Sequence, residues 1–229
     1  MADRSTYNLS GSVATITMDD GKVNALSPEM IRSVAAGFDR AEDDGADAVI
    51  LTGREGVFSA GFDLKTEGEG WPPMLVAGAN LAARMLSFPR PVILACNGHA
   101  MAMGGFLLLS ADYRIGVSGD LKIGLNEVAI GLTMPWFGIE IARHRLARPY
   151  FDRCAVTGVL LGPDEALDAG FLDEMVPAAD LPGAAVEAAG QLAEVKHPAH
   201  AETKLRVREQ VIAGINDGVK RIEGDGREW

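Results

Sequence analysis

Two short apolar runs, each cut off by a small-residue loop, constrain this chain most. Ala48-Val49-Ile50-Leu51 stops at Thr52-Gly53, and Pro91-Val92-Ile93-Leu94-Ala95-Cys96 stops at Asn97-Gly98. Runs of that length without polar alternation suit strands buried on both faces, as in a parallel sheet covered by helices. Such sheets place their ligands beyond the carboxyl ends of the strands, which is where both loops lie.

The surrounding pattern extends this α/β reading. Val13 to Met18 is β-branched and bounded by turn residues, so it reads as a strand. Ser27-Pro28 reads as an N-cap followed by proline at the first helical position, with Ile31, Val34, Ala35, Phe38 and Ala41 at helical spacing and Asp43-Asp44-Gly45 as the stop. Gly56 to Trp71 reads as irregular, Pro73 to Phe88 as a helix and, after Gly104-Gly105, Phe106 to Ala111 as a buried helix. Tyr113 to Val117 and Leu121 to Ile123 read as strands. From Pro135 onward the pattern gives helices only: Phe137–Ala147, Tyr150–Thr157, Pro163–Ala169, Pro182–Lys196 and Pro198–Asn216. A βα core over residues 1–175 with a helical region over 176–229 follows.

Composition narrows the function classes. A hydrophobic share of 48% and a charged share of 23% are ordinary for a globular chain. The net charge of −11 repels phosphate backbones and anionic lipid, and the basic residues are scattered apart from Lys204, Arg206 and Arg208, so neither nucleic acid nor membrane is expected as a partner. Met1 to Ser10 is too polar for a signal peptide, and no apolar stretch is long enough to span a membrane. Cys96 and Cys154 read as buried free thiols, and a cytoplasmic location is expected. No Walker A, His-Glu-x-x-His, zinc or calcium pattern occurs, so neither a metal nor a cofactor is expected.

Three segments could carry chemistry. Gly53 to Lys65 is rich in small residues, so its backbone N–H groups can face a ligand closely. Ser59 within it lacks a nucleophile elbow and reads as structural. Asn97 to Phe106 joins a strand to a helix, pointing free N–H groups and the positive helix end at one spot, which is how a negatively charged oxygen is stabilised. His99 is the base candidate there, although histidines at strand ends are usually packing residues. In Ile123 to Leu132 a single carboxylate, Glu127, lies in an apolar run. Burial would raise its pKa into the range of a proton shuttle; pairing with an arginine or exposure at a turn is the alternative.

Taken in this order, the three segments resemble the enoyl-CoA hydratase/isomerase (crotonase) family from about Val13 to Val176. Phe58-Ser59-Ala60-Gly61-Phe62-Asp63-Leu64 is similar to its first oxyanion-hole motif, and Asn97-Gly98 through Gly105, with Ala111-Asp112-Tyr113-Arg114-Ile115, to its second. Pro135 and the Thr157-Gly158 to Gly170 stretch agree with it. The resemblance implies a crotonase (ClpP-like) fold of repeated ββα units with a C-terminal helical region that trimerises, as a homotrimer or dimer of trimers. It implies an acyl-CoA thioester as substrate, with coenzyme A as part of that substrate and no separate cofactor. Backbone N–H groups of Phe62 and Met103 would hold the thioester oxygen. Ala60, Asp63 and Leu64 would lie by the adenine, and Lys22 and Lys65 by the phosphates. Met101, Phe106, Leu132 and Trp136 would line the acyl pocket, with Met74, Leu75 and Phe137 nearby.

Hydratases of the family use two glutamates. Phe106 stands at the first position and Glu127 at the second. Ile123-Gly124-Leu125-Asn126-Glu127 resembles the Δ3,Δ2-enoyl-CoA isomerase pattern, since hydratases usually carry proline before the glutamate. That implies double-bond migration by one glutamate in fatty-acid metabolism, with hydration or non-catalytic acyl-CoA binding as alternatives. Other family chemistries would direct attention to Glu140 and His144. Two departures stand out: Met103 replaces the usual glycine, and the chain reads as ending early in a polar tail, Asp225 to Trp229, which leaves closure of the acyl site by the last helix open.

Overall fold

The computed structural model describes residues 4–66 and 68–225; of the expected polar tail, residues 226–229 lie outside them. Strands β1 (Ser5–Ser10), β2 (Val13–Met18), β4 (Ala48–Gly53), β7 (Val92–Cys96), β9 (Tyr113–Val117) and β12 (Glu174–Val176) form a six-stranded sheet in the order β1-β2-β4-β7-β9-β12. Its pairings are parallel except for the β1–β2 hairpin. The two apolar runs are its neighbouring central strands, Val49 opposite Val92 and Leu51 opposite Leu94, all buried. A second layer holds β5 (Val57–Ser59), β8 (His99–Met101), β10 (Ile123–Gly124) and β11 (Leu160–Leu161), in the order β11-β10-β8-β5. The short pair β3 (Ala25–Leu26) and β6 (Gly61–Phe62) lies beside it.

Helix α1 (Pro28–Asp43) starts as its sequence dictates. The Ser27 side chain accepts the Met30 N–H, Pro28 needs no N–H partner, and Met30, Ile31, Val34, Phe38 and Ala41 face inward. Helix α3 (Met103–Ser110) packs on the second layer, with α2 (Trp71–Ser87) and α4 (Trp136–Arg145) against it, followed by α5 (Arg148–Thr157), α6 (Pro163–Ala169), α7 (Leu181–Ala193) and α8 (Ala199–Asp225).

The structure differs from the sequence reading at five points. The polar segment Ser5–Ser10 is an edge strand, because β2 supplies its backbone partners whatever its side chains. Gly56 to Trp71 is not irregular throughout; β5 and β6 lie within it, paired to residues distant in sequence. Strands β11 and β12 interrupt the region expected to be helical only. The boundary between residues 175 and 176 cuts β12. Neither of the last two helices is an appendage: α7 packs on β4, β7 and β9, and α8 lies along α2 and α4, burying Val211, Ile215 and Ile222. No helix among the described residues is long and apolar enough to cross a membrane.

Candidate active site

The first arm of the site is a chain of hydrogen bonds. Asn24, buried and at φ 51°, donates its amide to the carbonyls of Met18 (3.1 Å), Val57 (3.2 Å) and Phe58 (3.1 Å). Its own carbonyl accepts the Ser59 hydroxyl at 2.8 Å, and Ser59 Oγ accepts the Gly61 N–H at 3.1 Å. Ser59 is thus a buried brace that presents Gly61-Phe62, and its hydroxyl is committed to that task. Asn24 was missed in the sequence because its surroundings read as an ordinary turn and the partners that tie it to the site, Val57, Phe58 and Ser59, are more than thirty residues away.

The second arm is the turn from β8 into α3. Ala102 sits at φ 50°, a strained conformation for a residue with a side chain, and its N–H donates to Gly124 O at 3.0 Å. The helix begins at Met103, earlier than the sequence pattern suggested, so Gly104 and Gly105 form its first turn. The first N–H groups of a helix have no carbonyl within it to bond. Gly61 abuts this turn so closely that a Cβ there would meet Met101 O at 2.9 Å, so only glycine lets the two arms meet. The Met103 side chain, whose destination was open, is fully buried and reaches toward Gly78 of α2, where the Phe62 ring also packs.

The third element brings the carboxylate. After β10 the chain passes Leu125 and Asn126 to Glu127, which opens a 3-10 turn, Val128–Ile130, ended by Gly131 at φ 84°. Glu127 is 6% exposed, and neither carboxylate oxygen has a hydrogen-bond partner. Burial pushes its pKa up to about 7. Pairing with arginine and exposure at a turn are both ruled out by this placement.

These elements enclose a cavity of about 150 Å³ lined by Ala60, Phe62, Leu64, Trp71, Leu75, Ala102, Asn126, Glu127, Ile130, Leu132, Thr133 and Pro135. Of the expected site residues, Glu127, Phe62, Ala60, Leu64 and Leu132 meet there. Asp63, Lys22 and Lys65 lie outside the lining: the Asp63 carboxylate accepts the Lys65 N–H at 3.0 Å, and both lysines are exposed. Three expected pocket residues lie outside this lining. Phe106 is fully buried, packed edge-on against Phe137 with ring centroids 5.8 Å apart. Trp136 is 41% exposed beneath the Arg221 guanidinium, and Met101 is not part of the lining. His99 is exposed and accepts the Lys122 N–H at 2.9 Å. Glu140 pairs with Arg143, and His144 lies elsewhere on the same helix. Trp71, Asn126, Ile130 and Thr133 were not singled out as pocket residues; for Asn126 the signal was present, since it replaces the proline before the glutamate. Two backbone turns facing a carboxylate in an apolar cavity can hold negative charge on an oxygen while a proton moves on and off a neighbouring carbon.

Comparison with known proteins agrees with this construction. The family model for enoyl-CoA hydratase/isomerase matches residues 8–217. The crystal structure of an enoyl-CoA hydratase/isomerase family protein from Pseudomonas syringae is 45% identical, superposes with a TM-score of 0.95 and covers 99% of each chain. Human mitochondrial enoyl-CoA delta isomerase 1 is 32% identical, over 89% of this chain and 70% of its own. Carnitinyl-CoA dehydratase of Proteus mirabilis is 33% identical, over 92% of this chain and 82% of its own.

Proposed function

The chain belongs to the enoyl-CoA hydratase/isomerase family, and from that premise we propose that it moves the double bond of a 3-enoyl-CoA to the 2-position with Glu127 as the single proton carrier. The observation that carries this reading is the solitude of Glu127. Among the described residues no second carboxylate lines the cavity, and Phe106, at the position of the other hydratase glutamate, is packed into the core. Adding water across a double bond is served by two groups, one to deprotonate the water and one to deliver a proton to carbon. Migration needs one.

In the proposed reaction the ionised Glu127 removes a proton from C2. The electron pair delocalises through C1 onto the thioester oxygen, forming a dienolate conjugated with the C3=C4 bond. The N–H groups of Phe62 and Met103 serve as the oxyanion hole for that oxygen, where fixed dipoles in an apolar surround are most effective. Protonated Glu127 returns the proton to C4, leaving the double bond between C2 and C3. A carboxyl near pKa 7 suits both halves, being basic enough to take a carbon-bound proton and acidic enough to give it back. Apolar walls of Leu75, Ile130, Leu132 and Pro135 disfavour a water that would add to the product.

The test compares wild type with Glu127→Gln on 3-enoyl-CoA and 2-enoyl-CoA, following migration and hydration separately. Migration that falls by several orders of magnitude in the variant supports the reading. Hydration by the wild type at a comparable rate overturns it in favour of a hydratase.

A further inference from the structure

We propose that Gly158 is a positioning residue for Glu127: the close of α5 is the seat on which the Glu127 turn rests, and that seat has no room for a side chain. The inference rests on the reading of Glu127 as the proton carrier.

The loop that carries Glu127 touches the segment after α5 on both sides of the glutamate. Before it, Gly124 pairs with Leu160, and a Cβ on Gly124 would lie 2.8 Å from the Val159 carbonyl oxygen. After it, a Cβ on Gly158 would come within 2.6 Å of the Ala129 backbone nitrogen and 3.0 Å of the Ala129 Cβ. Relief of such a clash requires one segment to move, and the turn is the freer of the two. Val128, Ala129 and Ile130 are exposed, whereas Cys154 and Ala155 anchor the end of α5 in the core. Glu127 belongs to that turn, its carbonyl accepting the N–H groups of Ile130 at 3.1 Å and Leu132 at 2.9 Å, so a shift of Ala129 carries the carboxylate with it. The front of the loop is tied to the second arm, because Gly124 O accepts the Ala102 N–H at 3.0 Å. A displaced turn therefore changes the spacing between the carboxylate and that arm, and a misplacement of about 1 Å can cost a hundredfold in rate. Gly158 also ends α5 at φ 67°, a conformation that by itself favours glycine. The two demands are separable, because asparagine enters the left-handed region more readily than alanine yet brings a Cβ.

The experiment compares full-length Gly158→Ala, Gly158→Asn and Gly170→Ala with wild type. Gly170 is the control for strain: it ends α6 at φ 91° and lies against Arg145, away from the cavity lining. Thermal melts report folding, and kcat is followed for whichever conversion the wild type performs, migration or hydration. The Glu127 carboxyl is titrated by carbon-13 NMR of glutamate-labelled protein, its signal identified by its absence from Glu127→Gln. Both Gly158 variants are expected to lose about tenfold or more in kcat. Their Glu127 midpoint should fall from near 7 by about half a unit or more, since burial is what raises it and a displaced carboxyl admits water. Gly170→Ala should melt lower with kcat and midpoint unchanged. Wild-type kcat and midpoint in a folded Gly158 variant overturn the proposal, as does their recovery in Gly158→Asn, which would leave backbone conformation as the only demand. Equal changes in Gly170→Ala would mark general loosening and overturn it too. Should Gly158→Ala not fold, Gly158→Asn carries the same test. Hydration by the wild type removes the migration reading but leaves this comparison in force, and the titration needs no turnover at all.

Discussion

Gly61 and Met103, forty-two positions apart, approach so closely that a Cβ on Gly61 would lie 3.3 Å from the Met103 backbone nitrogen and 2.7 Å from the Ala102 Cβ. Gly61 also sits at φ 93°, which any other residue adopts under strain. Gly61→Ala is therefore expected to push the two N–H arms apart. Displacements of this kind cost up to about a hundredfold in rate, so kcat on 3-enoyl-CoA should drop at least tenfold, with a melting temperature lowered by strain of about 1–3 kcal/mol. Full activity in this variant would show that the arms do not act together.

The pKa of Glu127 makes two pH predictions. As a base it must be ionised, so kcat/KM should rise with pH through about 7, and that limb should vanish in Glu127→Gln. Stability runs the opposite way. The folded state holds this proton more tightly than the unfolded chain, so stability is highest at low pH and falls as pH rises toward 7. Above that the penalty levels off on the order of 3 kcal/mol. Glu127→Gln should consequently melt higher than wild type at pH 8 and nearly with it at pH 5. A variant less stable at pH 8 would show that the carboxylate is solvated or paired after all.

Phe106→Glu restores the second hydratase carboxylate in sequence but not in space. The residue is enclosed by Phe137 and by Gly138, where a Cβ would come 2.4 Å from the Phe106 ring. A carboxylate there would be buried without a partner, and the lost aromatic packing alone costs about 3–5 kcal/mol. Thermal melts should show marked destabilisation, and no water addition to 2-enoyl-CoA should be gained. A stable, hydrating variant would overturn this placement.

Asp112 anchors the last helix. Its oxygens meet Lys204 at 2.6 Å and Arg208 at 2.8 Å, all three side chains being largely buried, and Oδ2 also accepts the Val92 N–H at 2.7 Å. Asp112→Asn would leave two buried cations without their carboxylate, a loss of about 3–5 kcal/mol. Amide exchange should accelerate first in α8, before the central sheet. Unchanged protection of α8 would mean that its contacts with α2 and α4 hold it alone.

The legible parts of the molecule were those whose signal is local. The Ser27-Pro28 cap, the central strands and the glutamate in an apolar run are visible in a handful of consecutive residues, and three segments in order pointed to the family. Illegible parts depend on partners far along the chain. Ser5–Ser10 is a strand because β2 lies beside it, and β6 because β3 does. Side-chain direction was the other blind spot. Phe106, one turn into α3, faces Phe137 and Gly138, and Trp136, at the start of α4, faces Arg221. Neither outcome follows from residue type. Asn126 shows the converse: its departure from the usual proline was plain, but only the structure places it in the cavity wall.

The walls of the cavity come from residues 60–64, 71–75, 102 and 126–135, and its backbone arms are braced from Asn24. No contiguous stretch of chain holds more than one of these parts. During synthesis the complete cavity therefore cannot exist until Pro135 has emerged and these separate segments have come together. Activity would thus report completed assembly, and a partly folded chain, however much helix it has formed, would have nowhere to generate the proposed dienolate.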